Sequence, residues 1–296
     1  MSSLVASLLL VVTTVIWGVA FVAQKIAAAQ IAPATFIAAR LLLGAAVVAP
    51  LAWMHWRKRP HAVTVKDWVL MACTGLIMCG ASVTQQLGVA ETTVGNTGFL
   101  TGLYVPLVPL IELLILRRRP HPIVWPASLL SLLGTTLMSG GGSLNFSTGD
   151  LMVVASAIFW SAHILLVGHC SNRIGLPTVQ AVLQYVICAG LCGAWAWSAE
   201  PGIVAGLTAA WWEIIFIGVL EVGIAYTLQS VLQRHISPAS TAILLSSEVL
   251  FTMLSGMIFL GERMSLIQAS GAIAILAAML MVQIGPLLRP LRTASL

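Results

Sequence analysis

LVASLLLVVTTVIWGVAFVAQ, residues 4–24, runs for 21 positions without one Asp, Glu, Lys or Arg. At about 1.5 Å per helical residue, such a run covers the roughly 30 Å hydrocarbon core of a bilayer. No basic residue precedes it, so it reads as a first membrane span rather than a cleavable signal segment. Dividing the rest of the chain at charges, prolines and turn residues gives nine further apolar runs, at about 34–54, 68–89, 93–116, 122–140, 150–170, 178–198, 211–233, 239–260 and 265–285. Each is long enough to cross. Backbone groups find no water in hydrocarbon, and none of the runs has the short alternating pattern of a membrane barrel, so each is expected to be a helix. The expected fold is an all-α integral membrane protein with ten transmembrane helices.

Composition agrees. Of the 296 residues 59% are apolar and 8% are charged, against about 25% charged in a soluble domain. With a mean hydropathy of +1.01 there is too little polar surface to cover a water-soluble globule, and the loops leave no room for a separate soluble domain. The net charge of +5 does not point to nucleic acid, because the basic residues cluster in short loops between the runs. They read as topology signals. A cytoplasmic N-terminus puts Arg57, Lys58, Arg59, Lys66, Arg117, Arg118, Arg119, Arg173, Arg234, Arg289 and Arg292 inside, and only Lys25 and Arg263 outside. The expectation is a multi-pass protein of the cell membrane with both termini cytoplasmic. Eight tryptophans fall near span ends, where amphipathic rings favour the interface; Trp17 and Trp160 fall at mid-depth. The five cysteines lie in or beside apolar runs, which implies no disulfide framework. Cys188 and Cys192 share a helix face and read as small apolar packing, so neither a metal nor a cofactor is expected.

The chain also matches itself at an offset of 143 to 144. Trp17 falls on Trp160, Pro33 on Pro177, Trp68 on Trp211, Thr84 on Thr227 and Gln86 on Gln229. Two halves follow, 1–143 and 144–296, each with five spans. Five is odd, so the second half enters the membrane from the opposite side, and the fold is expected to be two inverted five-helix repeats. Such halves can open a central site to one face and then to the other.

Within the first half, Ile16-Trp17-Gly18-Val19-Ala20-Phe21, Pro33 and Arg40-Leu41-Leu42-Leu43 resemble the opening of an EamA-type half of the drug/metabolite transporter superfamily. In the second, Ala239-Ser240-Thr241-Ala242, Glu248-Val249 and Leu260-Gly261-Glu262-Arg263 resemble that family's ninth helix and its closing Gly-Glu-Arg. Two departures stand out: Arg118-Arg119-Pro120 replaces Gly-Glu-Arg in the first half, and Val249 replaces a proline. The resemblance covers nearly the whole chain. It implies a ten-helix transporter, commonly an exporter of amino acids or other small metabolites.

A charge at mid-bilayer costs about 2.5–3.5 kcal/mol on insertion scales, so Arg40, Glu221 and Glu248 should face a cavity or one another. Two readings of Arg40 stand: its planar fork binds a substrate carboxylate, or it locks two helices as an ion pair. For Glu248 they are proton coupling, partnership with Arg40 and structural hydrogen bonding, with Glu221 as the second coupling candidate. Trp17 and Trp160 occupy equivalent positions, and could sandwich a flat ligand or simply fill volume. His163 lies one turn from Trp160, Tyr104 shares a face with Thr97 and Thr101, and Gln86 is polar enough to line a path. The expected substrate site is therefore Trp17, Arg40, Gln86, Tyr104, Trp160 and His163, between the halves. No nucleophile motif, zinc-protease motif, paired acidic motif or phosphate loop occurs, so the chain is not expected to be an enzyme or ATP-driven. The function expected is a gradient-driven secondary transporter exporting small amphipathic molecules by alternating access, with proton coupling. The alternatives are a membrane enzyme and a non-transporting interaction or sensor protein; nothing specifies an oligomer.

Overall fold

A computed structural model describes residues 1–59, 62–138, 147–260 and 263–288. Ten helices follow the apolar runs: α1 (Ser3–Ala28), α2 (Pro33–Arg57), α3 (Val65–Glu91), α4 (Val94–Leu114), α5 (Val124–Met138), α6 (Thr148–Ile174), α7 (Pro177–Ala199), α8 (Trp211–Leu232), α9 (Pro238–Phe259) and α10 (Leu266–Leu288). Among the described residues no strand occurs, and nine of these helices are long and apolar enough to cross a membrane. The shorter one, α5, has 15 residues. The expected boundary between the halves at 143/144 and the Gly261-Glu262 pair lie outside the described residues.

The helix starts are written in the sequence. Ser2, Thr64, Thr93, Ser147 and Ser237 cap α1, α3, α4, α6 and α9, each accepting a backbone N–H three residues on. Pro33 and Pro177 open α2 and α7, where a missing N–H costs nothing. Ala32 gives α2 no cap of its own. Glu200, just beyond α7, supplies one by accepting from Ala34 N (2.8 Å), Thr35 N (2.7 Å) and Thr35 Oγ1 (2.7 Å). At the far end of α3, Lys25 Nζ donates to the carbonyls of Val89, Ala90 and Thr92 at 2.8–3.0 Å, placing a cation on a helix C-terminus.

Helix pairing carries the repeat. The principal contacts join α3 to α6, α2 to α7 and α5 to α10, each across the two halves. Exchanging every helix for the one five places along maps these contacts onto one another: α3–α6 onto α8–α1, α4–α6 onto α9–α1, and α2–α8 onto α7–α3. Equivalent helices meet directly in α2–α7, α4–α9 and α5–α10, which places these three pairs beside the pseudo-twofold axis. With five helices in each half, that relation is an inversion when every helix crosses the membrane. Small residues allow the approach. A Cβ at Gly134 would lie 2.7 Å from the Gly271 carbonyl oxygen, and one at Gly271 would lie 2.5 Å from that of Gly134, so α5 and α10 touch backbone to backbone. Large apolar side chains cover the outside, as lipid requires. Trp53, Trp197, Trp211 and Trp212 are exposed near helix ends, while Trp17 and Trp160 are buried.

Three of the runs are not plain helices. The α4 helix tightens at Gly102-Leu103, where Leu103 N donates to Leu100 O and Val105 N to Gly102 O. Pro106 explains this, because it has no N–H for the Gly102 carbonyl and its ring crowds that oxygen. The equivalent helix α9 tightens at Ser246-Ser247, without a proline. There Ser246 and Ser247 turn their hydroxyls back onto the carbonyls of Ile243 (2.6 Å) and Leu244 (2.8 Å), competing with the helix ladder. Finally, Ile217–Tyr226 of α8 is a π-helix.

Candidate functional site

The two tightened turns lie 144 positions apart, and each ends at a residue facing the other half. Tyr104 follows the break in α4, Glu248 follows the break in α9, and the Tyr104 hydroxyl donates to Glu248 Oε1 at 3.1 Å. Both residues are 3% exposed. An offset of 143 sets Glu248 on Val105, but the breaks set the local offset at 144, so Glu248 and Tyr104 are equivalent positions meeting at the axis. Serines of the α9 break hold it in place: Ser246 Oγ bonds Ser131 of α5 and Ser247 Oγ bonds Thr14 of α1, both at 2.8 Å.

A cavity opens beside this contact. Its walls come from α1 (Trp17, Phe21, Gln24), α3 (Gln85), α4 (Thr101, Tyr104), α6 (Trp160, Ile164), α8 (Glu221, Tyr226, Gln229) and α9 (Leu245, Glu248). Both halves contribute. The free space is about 40 Å³, several times the roughly 10–15 Å³ one water needs and far below what a metabolite fills. A substrate would need these walls to move apart.

Aromatic rings form one wall. Tyr226 stacks on Trp160, with centroids 5.6 Å apart and planes at 15°, and lies 5.0 Å from Trp17 at 48°. It thus packs against both tryptophans, for which the sequence leaves open a sandwiched ligand or plain packing. The indole Nε1 atoms of Trp17 and Trp160 are buried with no hydrogen-bond partner among the described residues. They are equivalent donors on a shared cavity, each in need of an acceptor.

Charge is distributed unevenly. Arg40 Nη1 lies 3.3 and 3.4 Å from the two carboxylate oxygens of Glu221, and Gln24 Nε2 lies 3.3 and 3.2 Å from the same pair. Arg40 and Glu221 are each 2% exposed, and the guanidinium also sits 5.3 Å from the Phe36 ring centroid. Arg40 therefore stands behind Glu221, outside the cavity wall, and its partner is Glu221 rather than Glu248. Among the described residues the only other ion pair is Asp67–Arg173, at one end of the bundle, so Glu248 has no cation beside it.

Of the residues expected at the site, Trp17, Tyr104, Trp160, Glu221 and Glu248 line the cavity. His163 stands one layer back, with Nε2 3.0 Å from Gln184 Oε1 and its ring edge-on to Trp160. Gln86 is also set back, reaching the Gln24 carbonyl at 3.5 Å, while its neighbour Gln85 lines the cavity and donates to Thr101. Tyr226 and Gln24 are the residues that sequence reasoning missed. On an α-helix Glu221 and Tyr226, five positions apart, point in different directions, whereas the i→i+5 bonding of the π-helix brings both onto the cavity. Nothing in a 3.6-residue pattern announces that.

Relatives agree with this architecture. The chain is 27% identical over 281 residues to an uncharacterized transporter of Archaeoglobus fulgidus, covering 95% of this chain and 86% of that protein. It is 24% identical over 297 residues to the uncharacterized transporter YwfM of Bacillus subtilis, covering 95% and 94%. One solved crystal structure shares the fold with a TM-score of 0.77 at 17% identity, over 94% of this chain and 97% of that one. The EamA-like transporter family matches twice, at residues 4–140 and 147–284, one match for each half of five helices. The chain is a multi-pass membrane protein that belongs to the EamA-like transporter family.

Proposed function

We propose that this transporter is a secondary exporter of small amphipathic metabolites such as amino acids, working by alternating access at the cavity between its halves and coupled to protons through Glu248. The observation that carries the reading is the Tyr104–Glu248 contact. It joins equivalent positions just past the tightened turns of α4 and α9, where discontinuous helices give a repeat protein its hinges. The cavity chemistry supports the substrate class. An aromatic wall of Trp17, Trp160 and Tyr226 takes an apolar body, and the two unpartnered indole N–H groups offer donors to a carboxylate or carbonyl head. Arg40, His163 and Gln86 act from behind the wall, holding Glu221, Trp160 and Gln24.

Purified protein in proteoliposomes tests the reading. Vesicles loaded with unlabelled hydrophobic amino acids should accumulate the labelled compound by counterflow, and an imposed proton gradient should speed net movement. A panel of amphipathic amino acids and amines giving no counterflow in well-folded protein would sink it.

We also place both termini in the cytoplasm. The reading rests on the loop charge bias, with Arg57, Lys58, Arg59 and Lys66 on one side and Lys25 on the other. A reporter fused after Arg59 should read cytoplasmic and one fused after Glu200 external; the reverse pattern would invert the orientation, and with it the direction of transport.

A further inference from the structure

Away from the cavity, three thiols converge inside the bundle. Cys188 and Cys192 lie one helical turn apart on α7, and the fold brings Cys79 of α3 against them. Their three Sγ atoms lie within 4.8 Å of one another, with Cys79 and Cys192 3.8 Å apart. Cys188 and Cys192 are 0% and 1% exposed, and Cys79 is partly buried. We propose that Cys79, Cys188 and Cys192 form a binding site for a soft monovalent metal ion of the Cu(I) type, bridging the two halves of the protein.

The distances argue for coordination. Three sulfurs at about 2.3 Å from a central ion in a trigonal plane are separated by about 4.0 Å, close to the spacing already present. A disulfide would need the sulfurs to close to about 2.05 Å. The donor set argues for the metal: thiolates select soft ions, and zinc completes a tetrahedron with a fourth ligand. Among the described residues no His, Asp or Glu joins the cluster. A d10 monovalent ion is satisfied by three sulfurs. Each thiol that binds as thiolate gives up its proton to solvent, so apparent affinity rises with pH.

Cys79 belongs to the first repeat and the other two to the second. A bound ion would therefore hold α3 to α7 and oppose any motion that parts them. That consequence rests on the alternating-access reading; the binding itself does not.

The test titrates detergent-purified, reduced protein with Cu(I) against a chromophoric chelator, anaerobically. One ion per chain is expected, with affinity falling at least about tenfold in Cys79→Ser, Cys188→Ser and Cys192→Ser and unchanged in Cys73→Ser and Cys170→Ser. Zn(II) should bind much more weakly. Melting curves without metal establish that each variant is folded, and Cu(I) should raise the melting temperature of wild type but not of the triple Ser variant. Equal loss in the Cys73 and Cys170 controls, or equal binding by wild type and triple variant, overturns the site. In proteoliposomes Cu(I) should slow counterflow by wild type and not by the triple variant; equal inhibition of both would overturn the bridging role while the titration still decides the site.

Discussion

Arg40→Met is expected to destabilise the protein by about 3–5 kcal/mol, read as a lower melting temperature in detergent and a lower yield. Arg40 and Glu221 are both buried, and the guanidinium is the one cation beside that carboxylate among the described residues. Removing it leaves Glu221 with neutral donors such as Gln24 and no cation, in a medium where an unpaired charge is costly. The effect should be non-additive. In Arg40→Met/Glu221→Gln no unpaired charge remains, Gln24 still has an oxygen to bond, and most of the lost stability should return. The cycle separates the two readings that the sequence leaves open for Arg40. An ion pair gives a large single-variant loss with rescue in the double variant. A single variant that melts like wild type but no longer binds substrate would put Arg40 in the substrate site.

The fold was legible because the physics of a bilayer leaves few options. Residues 4–24 and the nine runs after them could only be helices, and the repeated Trp17/Trp160 and Pro33/Pro177 positions announced paired halves. What pattern could not supply was the departure of individual helices from regularity. Pro106 was visible in α4, yet the equivalent break in α9 comes from two serine hydroxyls, a signal no stronger than ordinary serines elsewhere in the chain.

At the site, residue type was informative and depth was not. Arg40, Glu221 and Glu248 each declared themselves by cost, since charges inside a span need partners. The sequence left Arg40 free to partner either carboxylate. The choice of Glu221 depends on the close packing of α2 on α8, where a Cβ at Gly218 would lie 3.0 Å from the Arg40 carbonyl oxygen, and on the π-helical turn. Gln24 escaped notice because it adjoins Lys25 at the end of its span, where polar residues usually face the interface. The three-thiol cluster was half visible as Cys188 and Cys192; the third member arrives only through tertiary packing.

The Glu248→Gln variant should keep substrate exchange and lose its acceleration by a proton gradient, so that transport with and without the gradient becomes equal. The argument starts from the hydrogen bond between Tyr104 and Glu248, at 3.1 Å. It ties the break of α4 to the break of α9, and any motion that opens the cavity between them must stretch it. A hydrogen bond to an ionised carboxylate is roughly twice as strong as one between neutral groups. A proton on Glu248 therefore loosens the latch and an empty carboxylate tightens it, which links the proton to opening without any contact between proton and substrate. Glutamine has the shape of the protonated acid and accepts the tyrosine hydroxyl only as a neutral partner, so the variant is fixed in the loosened state. Tyr104→Phe removes the latch from the other side, and should likewise keep exchange while weakening the gradient response. Arg40→Met/Glu221→Gln serves as the comparison, because it removes that carboxylate without leaving a buried charge unpaired. Full gradient acceleration in both Glu248→Gln and Tyr104→Phe would exclude the latch as the coupling element. Loss of acceleration in Arg40→Met/Glu221→Gln, with full acceleration in Glu248→Gln, would move proton coupling to the Arg40–Glu221 pair.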